Sequence, residues 1–193
     1  MKSKHRVVKP QTAELLLEVG CEEIPAGMIA GAASELKVIL EKYLSAENIL
    51  INEEVTTFGA PRRLVATCPK LHLKQADVNR EVTGPPKAVA FDAQGHPTRA
   101  AESFATKQGV PVSSLYLVNT SRGEYLAAKQ IIPGRRATDR LQELLPRAIA
   151  EISWPRAMYW ESKAGPHFIR PIRWLLALYG GKVIPCSIGS VKA

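Results

Sequence analysis

Cysteine is scarce in this chain of 193 residues, histidine follows no pattern, and long apolar runs are missing. Cys21, Cys68 and Cys186 stand far apart, and none lies in a C-x-x-C or Cys/His pair with metal-ligand spacing. That excludes a zinc motif and a disulfide framework as the basis of the fold, and the three read as reduced thiols of a cytosolic protein. The four histidines, His5, His72, His96 and His167, have no serine or cysteine beside them in a nucleophile motif, so no catalytic residue and no metal ligand is predicted. A Gly-rich phosphate loop is also missing, because Gly84-Pro85-Pro86-Lys87 is too rigid and too short to cradle a phosphate. The longest apolar run, Trp174 to Tyr179, is of strand length, whereas a bilayer takes about 20 residues to cross. Residues 1–11 carry Lys2, Lys4, Arg6 and Lys9 without a following apolar stretch, and read as a flexible basic tail, not a signal peptide.

Negative charge is the other shortage. Eighteen acidic side chains face 26 basic ones, a formal net charge of +8. Residues 1–96 balance, with twelve of each sign, while residues 97–193 hold fourteen basic against six acidic side chains, so all of the excess lies in the second half. Nine of those fourteen are arginine, whose planar fork grips phosphate and stacks on bases. A polyanionic partner is one reading and a solvated basic surface the other. With 46% apolar residues the chain has the material for a real core.

Periodicity gives the fold class. Glu14 to Val19 is a short apolar run ended by Gly20 and reads as a buried strand. Pro25 opens a helix from Ala26 to about Glu47, with Ile29, Ala33, Leu36, Leu40 and Leu44 on one face. Glu54–Phe58 and Arg63–Thr67 read as a hairpin through Gly59-Ala60-Pro61-Arg62. The order then returns twice. Thr98 caps a helix closed by Gly109, followed by a hairpin of Leu115–Asn119 with Glu124–Ile132. Thr138 caps a third helix striped by Leu141, Leu144, Leu145, Ala148 and Ile149 and interrupted by Pro146, and a last hairpin joins Ile172–Tyr179 to Lys182–Ile188 through Gly180-Gly181. Hairpins interleaved with helices predict an α+β fold on a mostly antiparallel sheet. Residues 12–193 are expected as a single domain, with a possible subdomain junction at 84–97, where Pro and Gly concentrate.

The basic motifs carry the functional expectation. Pro61-Arg62-Arg63 puts two cations at the start of a strand, where alternation sends them to opposite faces; one is expected in a groove and the other on a carboxylate. Arg170-Pro171-Ile172-Arg173-Trp174 sets two cations around a rigid proline beside an aromatic ring, a pattern that suits phosphate and base or, equally, the edge of a core. Arg156 sits in the aromatic-basic stretch Trp154 to Trp160. Arg135, Arg136, Arg140 and Arg147 lie before or within the third helix, and Arg140 and Arg147, two turns apart, can line one exposed face. Glu22 and Glu23 are expected near the positive end of the first helix.

Taken together, the ordered blocks Leu15 to Ala26, Pro61-Arg62-Arg63-Leu64, Gly84-Pro85-Pro86, Phe91-Asp92 with Gly95 and Pro97-Thr98, Gly123-Glu124-Tyr125-Leu126, and Phe168 to Leu175 closely resemble the beginning of the β subunit of bacterial two-subunit glycyl-tRNA synthetase. Cys21 and Ala60 stand where that family commonly has Thr, and Tyr159 stands where it usually has a cation. The resemblance implies a cytoplasmic class II aminoacyl-tRNA synthetase, a ligase of protein biosynthesis, in which ATP and Mg belong to the α subunit and the β subunit binds tRNA. This segment, with no cofactor and no catalysis of its own, would then serve tRNA(Gly) binding, through Arg62, Arg63, Arg135, Arg136, Arg140, Arg147, Arg156, Arg170 and Arg173, and assembly with the α subunit and the remainder of the β subunit. A protein-interaction scaffold without RNA contact, or a relic editing-like domain, are the alternatives. More distantly, the segment is similar to the B3/B4 domain of phenylalanyl-tRNA synthetase.

Overall fold

The apolar run of the first strand becomes the centre of a sheet. In the computed structural model, which describes residues 12–51, 55–162 and 165–193, β1 (Thr12–Cys21) pairs antiparallel on one edge with β3 (Arg63–His72) and on the other with β9 (Ile172–Tyr179). With β2 (Thr56–Ala60) and β10 (Lys182–Val183) the order is β10-β9-β1-β3-β2, antiparallel throughout. Two-residue turns at Pro61-Arg62 and Gly180-Gly181 close the hairpins; both glycines have positive φ, which a tight turn of that kind requires. The tail at 1–11 and Glu54, expected at the start of a strand, lie outside the described residues.

Alternation along the strands sorts the side chains into two faces. Leu15, Leu17 and Val19 stand in register with Cys68, Ala66 and Leu64 on one side and with Tyr179, Ala177 and Leu175 on the other. These nine are buried in one core with two helices. The first, α1 (Ala26–Ala46), buries Ala32, Ala33, Leu36, Ile39, Leu40 and Leu44, close to the periodicity read from sequence. The second, α4 (Ala137–Ala150), buries Leu141, Leu144, Leu145, Ala148 and Ile149 and continues through Pro146. Its start is one correction: Arg136 occupies the N-cap, not Thr138, because the Ala137 N–H is taken by the Leu73 carbonyl at 2.9 Å, which starts the helix two residues early. The strand expected over Lys182–Ile188 is another. Ile184 turns inward and donates its N–H to Ala177, and the remainder forms a separate small hairpin, β11 (Ser187–Ile188) with β12 (Val191–Lys192).

Packing divides the chain into two compact units, one made of residues up to Gln75 with Arg135–Ala193, the other of Ala76–Gly134. The second holds β4 (Val78–Pro86), α2 (Lys87–Ala90), α3 (Arg99–Gln108), β5 (Tyr116–Thr120) and β6 (Gly123–Ile132), with sheet order β4-β6-β5 around a small core of Ala90, Ala101 and Leu126. Where sequence suggested one domain with a junction at 84–97, the divisions fall at 75/76 and 134/135. The stretch 84–97 lies inside the second unit, its prolines ending β4 and leading into α2, while Gly84 leaves room for Phe104: a Cβ there would stand 2.7 Å from the ring. In the first unit the two crossing points are laced by Gln75, whose N–H donates to the Arg135 carbonyl at 3.0 Å and whose side-chain oxygen accepts the Arg135 N–H at 3.0 Å. That pairing has no compositional signature, so no linker is visible in the sequence.

On the face of the five-stranded sheet away from the helices, Trp174 lies across Gly20 so closely that a Cβ on Gly20 would fall 1.8 Å from the indole. Gly20→Ala is therefore expected to destabilise by about 1–3 kcal/mol through overpacking. In a Trp174→Ala background the same change should cost much less, a coupling measurable by urea melts of the four variants. Additive effects would show that the indole does not rest on this glycine.

Candidate nucleic-acid interface

Three strands bring the two strongest basic motifs together. The Cys21 N–H donates to the Arg62 carbonyl at 3.0 Å, Ile24 N–H to Pro61 at 2.6 Å, and Glu22 N–H to Pro171 at 3.1 Å. The end of β1 thus ties the turn carrying Arg62 and Arg63 to the segment carrying Arg170 and Arg173. Pairs far apart in sequence become neighbours at one end of one sheet.

Among the described residues, two of these four cations are held by carboxylates and two are not. Arg63 Nη1 stands 3.4 Å from Glu18 Oε2, the pairing expected for one of the two adjacent arginines, and Trp174 Nε1 donates to Glu18 Oε1 at 2.7 Å. Arg173 pairs with Glu22. Glu22, expected near the positive end of the first helix, stands three residues before the α1 N-cap at Pro25 and has this arginine as its partner. Arg170 reaches only its neighbour's carbonyl, Ile169, at 3.2 Å, and the Arg62 side chain has no carboxylate partner among the described residues. Arg62 leaves an electrostatic trace on Cys21: burial pushes that thiol up to about 11, with the Arg62 charge opposing and the Glu22 charge adding to the rise. The thiol is thus protonated near neutrality and unreactive.

The helix arginines lie elsewhere and do different work. Arg140 forks onto Glu47 at the end of α1, its Nε 2.6 Å from Oε2, and also reaches Glu143. Arg135 joins Glu143 at 2.7 Å. Arg147 lies over the Tyr43 ring, 5.3 Å from its centroid. The exposed basic face expected for Arg140 and Arg147 is thus spent on clamping α4 to α1. Arg136, at the α4 N-cap, and Arg156, exposed beyond the helix end, have no carboxylate partner among the described residues. Arg136 stands next to the strand end at Leu73, so it is separated from Arg62 by the length of β3, about 30 Å at roughly 3.3 Å per residue.

Sequence reasoning passed over Gln75 and did not foresee the partners of Glu18. Glu18 had a visible signal, a carboxylate in an otherwise apolar strand. Gln75 had none; its amide nitrogen donates to the Glu47 carbonyl at 2.8 Å and to its carboxylate at 2.9 Å, fixing the acceptor that Arg140 grips. In the second unit a cleft of about 750 Å³ is lined by Lys87, Phe91, Asp92, Leu117, Arg122 and Glu124, but Lys87 pairs with Glu124 at 2.7 Å and the lining is charge-balanced. Among the described residues no cluster of three His, Cys, Asp or Glu could hold a metal, and no helix is long and apolar enough to cross a membrane.

An α+β domain with a fully antiparallel sheet and a basic sheet end defines a class, and comparison of sequences defines the family. The family described as glycyl-tRNA synthetase beta subunit matches residues 15–193, and the chain belongs to it. It is 45% identical over 181 residues to the glycine–tRNA ligase beta subunit of Geobacter metallireducens, and 43% identical over 180 residues to that of Citrifermentans bemidjiense, each match covering 93% of this chain. The Acidobacterium capsulatum beta subunit is 43% identical over 182 residues, 94% of this chain. The chain spans about a quarter of the length of these curated relatives, 26% in each case.

The Arg140–Glu47 fork yields a pH test. The Arg140 hydrogen bond first, with the charges of Arg140 and Arg135 and the Gln75 hydrogen bond behind it, holds the Glu47 carboxyl below its usual range, against the opposing effect of burial. Its contribution is complete above the unfolded-chain value of about 4.3 and is lost as pH falls through the lower folded value. Glu47→Gln is expected to cost about 1–2 kcal/mol at pH 7. The gap in urea midpoint between wild type and variant should close as pH is lowered from 5 toward 3; a gap independent of pH would mean that the charge on Glu47 contributes nothing.

Proposed function

We propose that this chain serves glycyl-tRNA synthesis as a non-catalytic module of the glycine–tRNA ligase beta subunit. Its part is to hold the phosphate backbone of tRNA at the sheet end that carries Arg62 and Arg170, with Arg63 and Arg173 alongside. Glycine activation, with ATP and Mg, belongs in this reading to the α subunit, with which the module assembles.

The observation that carries the reading is the convergence of two arginine motifs, some 110 residues apart, on segments hydrogen-bonded to the same strand end, with two of the four guanidinium groups without a carboxylate partner among the described residues. Charge distribution supports it. Residues 135–193 hold ten basic and four acidic side chains, a net of +6, whereas 76–134 hold six and five. The excess therefore belongs to the unit that carries all nine candidate arginines. A guanidinium with no carboxylate on it, exposed at Arg62 and half-buried at Arg170, gives phosphate a bidentate partner without first breaking an ion pair. Arg63 and Arg173, already paired, contribute a positioned but largely neutralised surface.

Titration of tRNA(Gly) at several salt concentrations tests this. Each phosphate contact contributes roughly 0.9 to the slope of log K against log salt on a duplex. Changing Arg62 and Arg170 together to Ala should weaken binding and lower that slope by about 1–2, while stability falls by no more than about 1–2 kcal/mol, Arg62 being exposed and Arg170 half-buried on one backbone carbonyl. Absence of binding by the wild-type chain at low salt, or an unchanged slope in the double variant, overturns the assignment.

A further inference from the structure

The sheet of the first unit has a second apolar face that its own core does not use. Strand register arranges that face in rows. One row runs Phe58, Val65, Glu18, Leu176, and the next runs Thr56, Thr67, Leu16, Leu178, Val183. Phe58 is 58% and Val183 56% exposed. Leu16, Val65, Leu176 and Leu178 are half-buried, and none of the six belongs to the core that α1 and α4 cover or to the side chains packed against it. An antiparallel sheet with one wet face alternates apolar and polar residues. Leu15-Leu16-Leu17 and Leu175-Leu176-Ala177-Leu178 do not alternate. They are the sequence of strands covered on both sides.

We infer that this face is a protein docking surface whose occupant is the remaining three-quarters of the β-subunit polypeptide found in the relatives. The chemistry argues against nucleic acid here. The side chains are mainly aliphatic, and the one charge in the middle of the rows is the Glu18 carboxylate, which repels phosphate and is already engaged with Arg63 and Trp174. Size argues for a tethered occupant. An apolar patch of this kind measures a few hundred Å², short of the roughly 800 Å² that a stable complex of separate molecules takes from each partner. A covalently linked segment docks at an effective concentration in the mM range and needs less contact. The relatives, of which this chain matches 26%, carry about three times its length in further polypeptide. The inference rests on family membership and is independent of the tRNA reading, whose arginines lie at the end of the sheet.

Thiol labelling distinguishes the possible occupants. Phe58→Cys and Val183→Cys, placed singly in a Cys186→Ser background, sit at exposed positions that the fold does not depend on. Cys21 and Cys68 are buried and stay silent. Both new thiols should react with a maleimide at the rate of a free peptide thiol. Cysteines at the matching positions of the full-length Geobacter metallireducens beta subunit should react at least tenfold more slowly, without α subunit or tRNA present. Equal rates in the two proteins overturn the inference. Protection that appears only on adding the α subunit, or only on adding tRNA, also overturns it and identifies that occupant. Protection in the short chain alone that grows with its concentration points instead to a second copy.

Discussion

Everything in the first unit depends on β1 being paired along both edges and apolar on both faces. Its backbone accepts and donates to β3 on one side and β9 on the other, joining strands separated by more than a hundred residues of sequence. Until that pairing forms, the β2–β3 hairpin and the β9–β10 hairpin are two-stranded pieces, marginal in water. Once it forms, Leu15, Leu17 and Val19 supply the middle of a continuous apolar floor for α1 and α4. Each fully buried leucine there is worth about 1.5–3 kcal/mol relative to exposure. The same pairing sets Arg62 beside Arg170. The basic sheet end is therefore a consequence of core formation, not an independently folded motif.

Glu18 shows how one residue in that strand serves two requirements. It occupies the face away from the helices, where a carboxylate would otherwise sit among leucine and valine. The indole N–H of Trp174 and the guanidinium of Arg63 meet its two oxygens. Gly20, one pleat further on, lets the indole lie flat against the backbone, which a side chain would prevent. The ring is neither a core residue nor a free stacking platform. It is a cover over the strand, held at its edge, and it marks where the aliphatic part of the face ends and the basic part begins.

Much of this was legible in the amino-acid order, and the misses have physical causes. The α1 stripe, the β2–β3 and β5–β6 hairpins, the stop of α3 at Gly109 and the antiparallel class followed from period and turn chemistry. Thr98 occupies the N-cap of α3 as expected, but its hydroxyl donates to the Val89 carbonyl at 2.7 Å instead of capping the helix. β4 went unread because its stretch, rich in polar residues and ending in Gly-Pro-Pro, lacks apolar alternation. The division into two units was hidden because Gln75 and Arg135, the residues of the first unit at its boundaries, meet through backbone and glutamine hydrogen bonds that leave no compositional mark. For the candidate site, sequence supplied the arginines but not their partners. Which guanidinium groups remain available is decided by carboxylates brought from other strands and helices, and no local pattern encodes that.

Those partners also change what the positive charge means. A net of +6 in residues 135–193 suggests a broad basic surface. Yet Arg135, Arg140 and Arg147 join α4 to itself and to α1 through Glu143, Glu47 and Tyr43, with Lys42 and Tyr43 meeting Glu151 nearby. These contacts run in opposite order, Arg140 to Glu47 and Ser153, just beyond α4, to Glu35, so they fix α4 antiparallel to the second half of α1. Charge spent in this way stabilises the helical layer and offers little to a ligand, since releasing an arginine from a fork costs what the new contact returns. Among the described residues, the candidate arginines without a carboxylate partner are Arg62 and Arg170 where β1 ends, with Arg136 and Arg156 elsewhere. In the function proposed above, such a surface would discriminate by position more than by total charge, favouring a phosphate backbone that presents its groups at the spacing of Arg62 and Arg170.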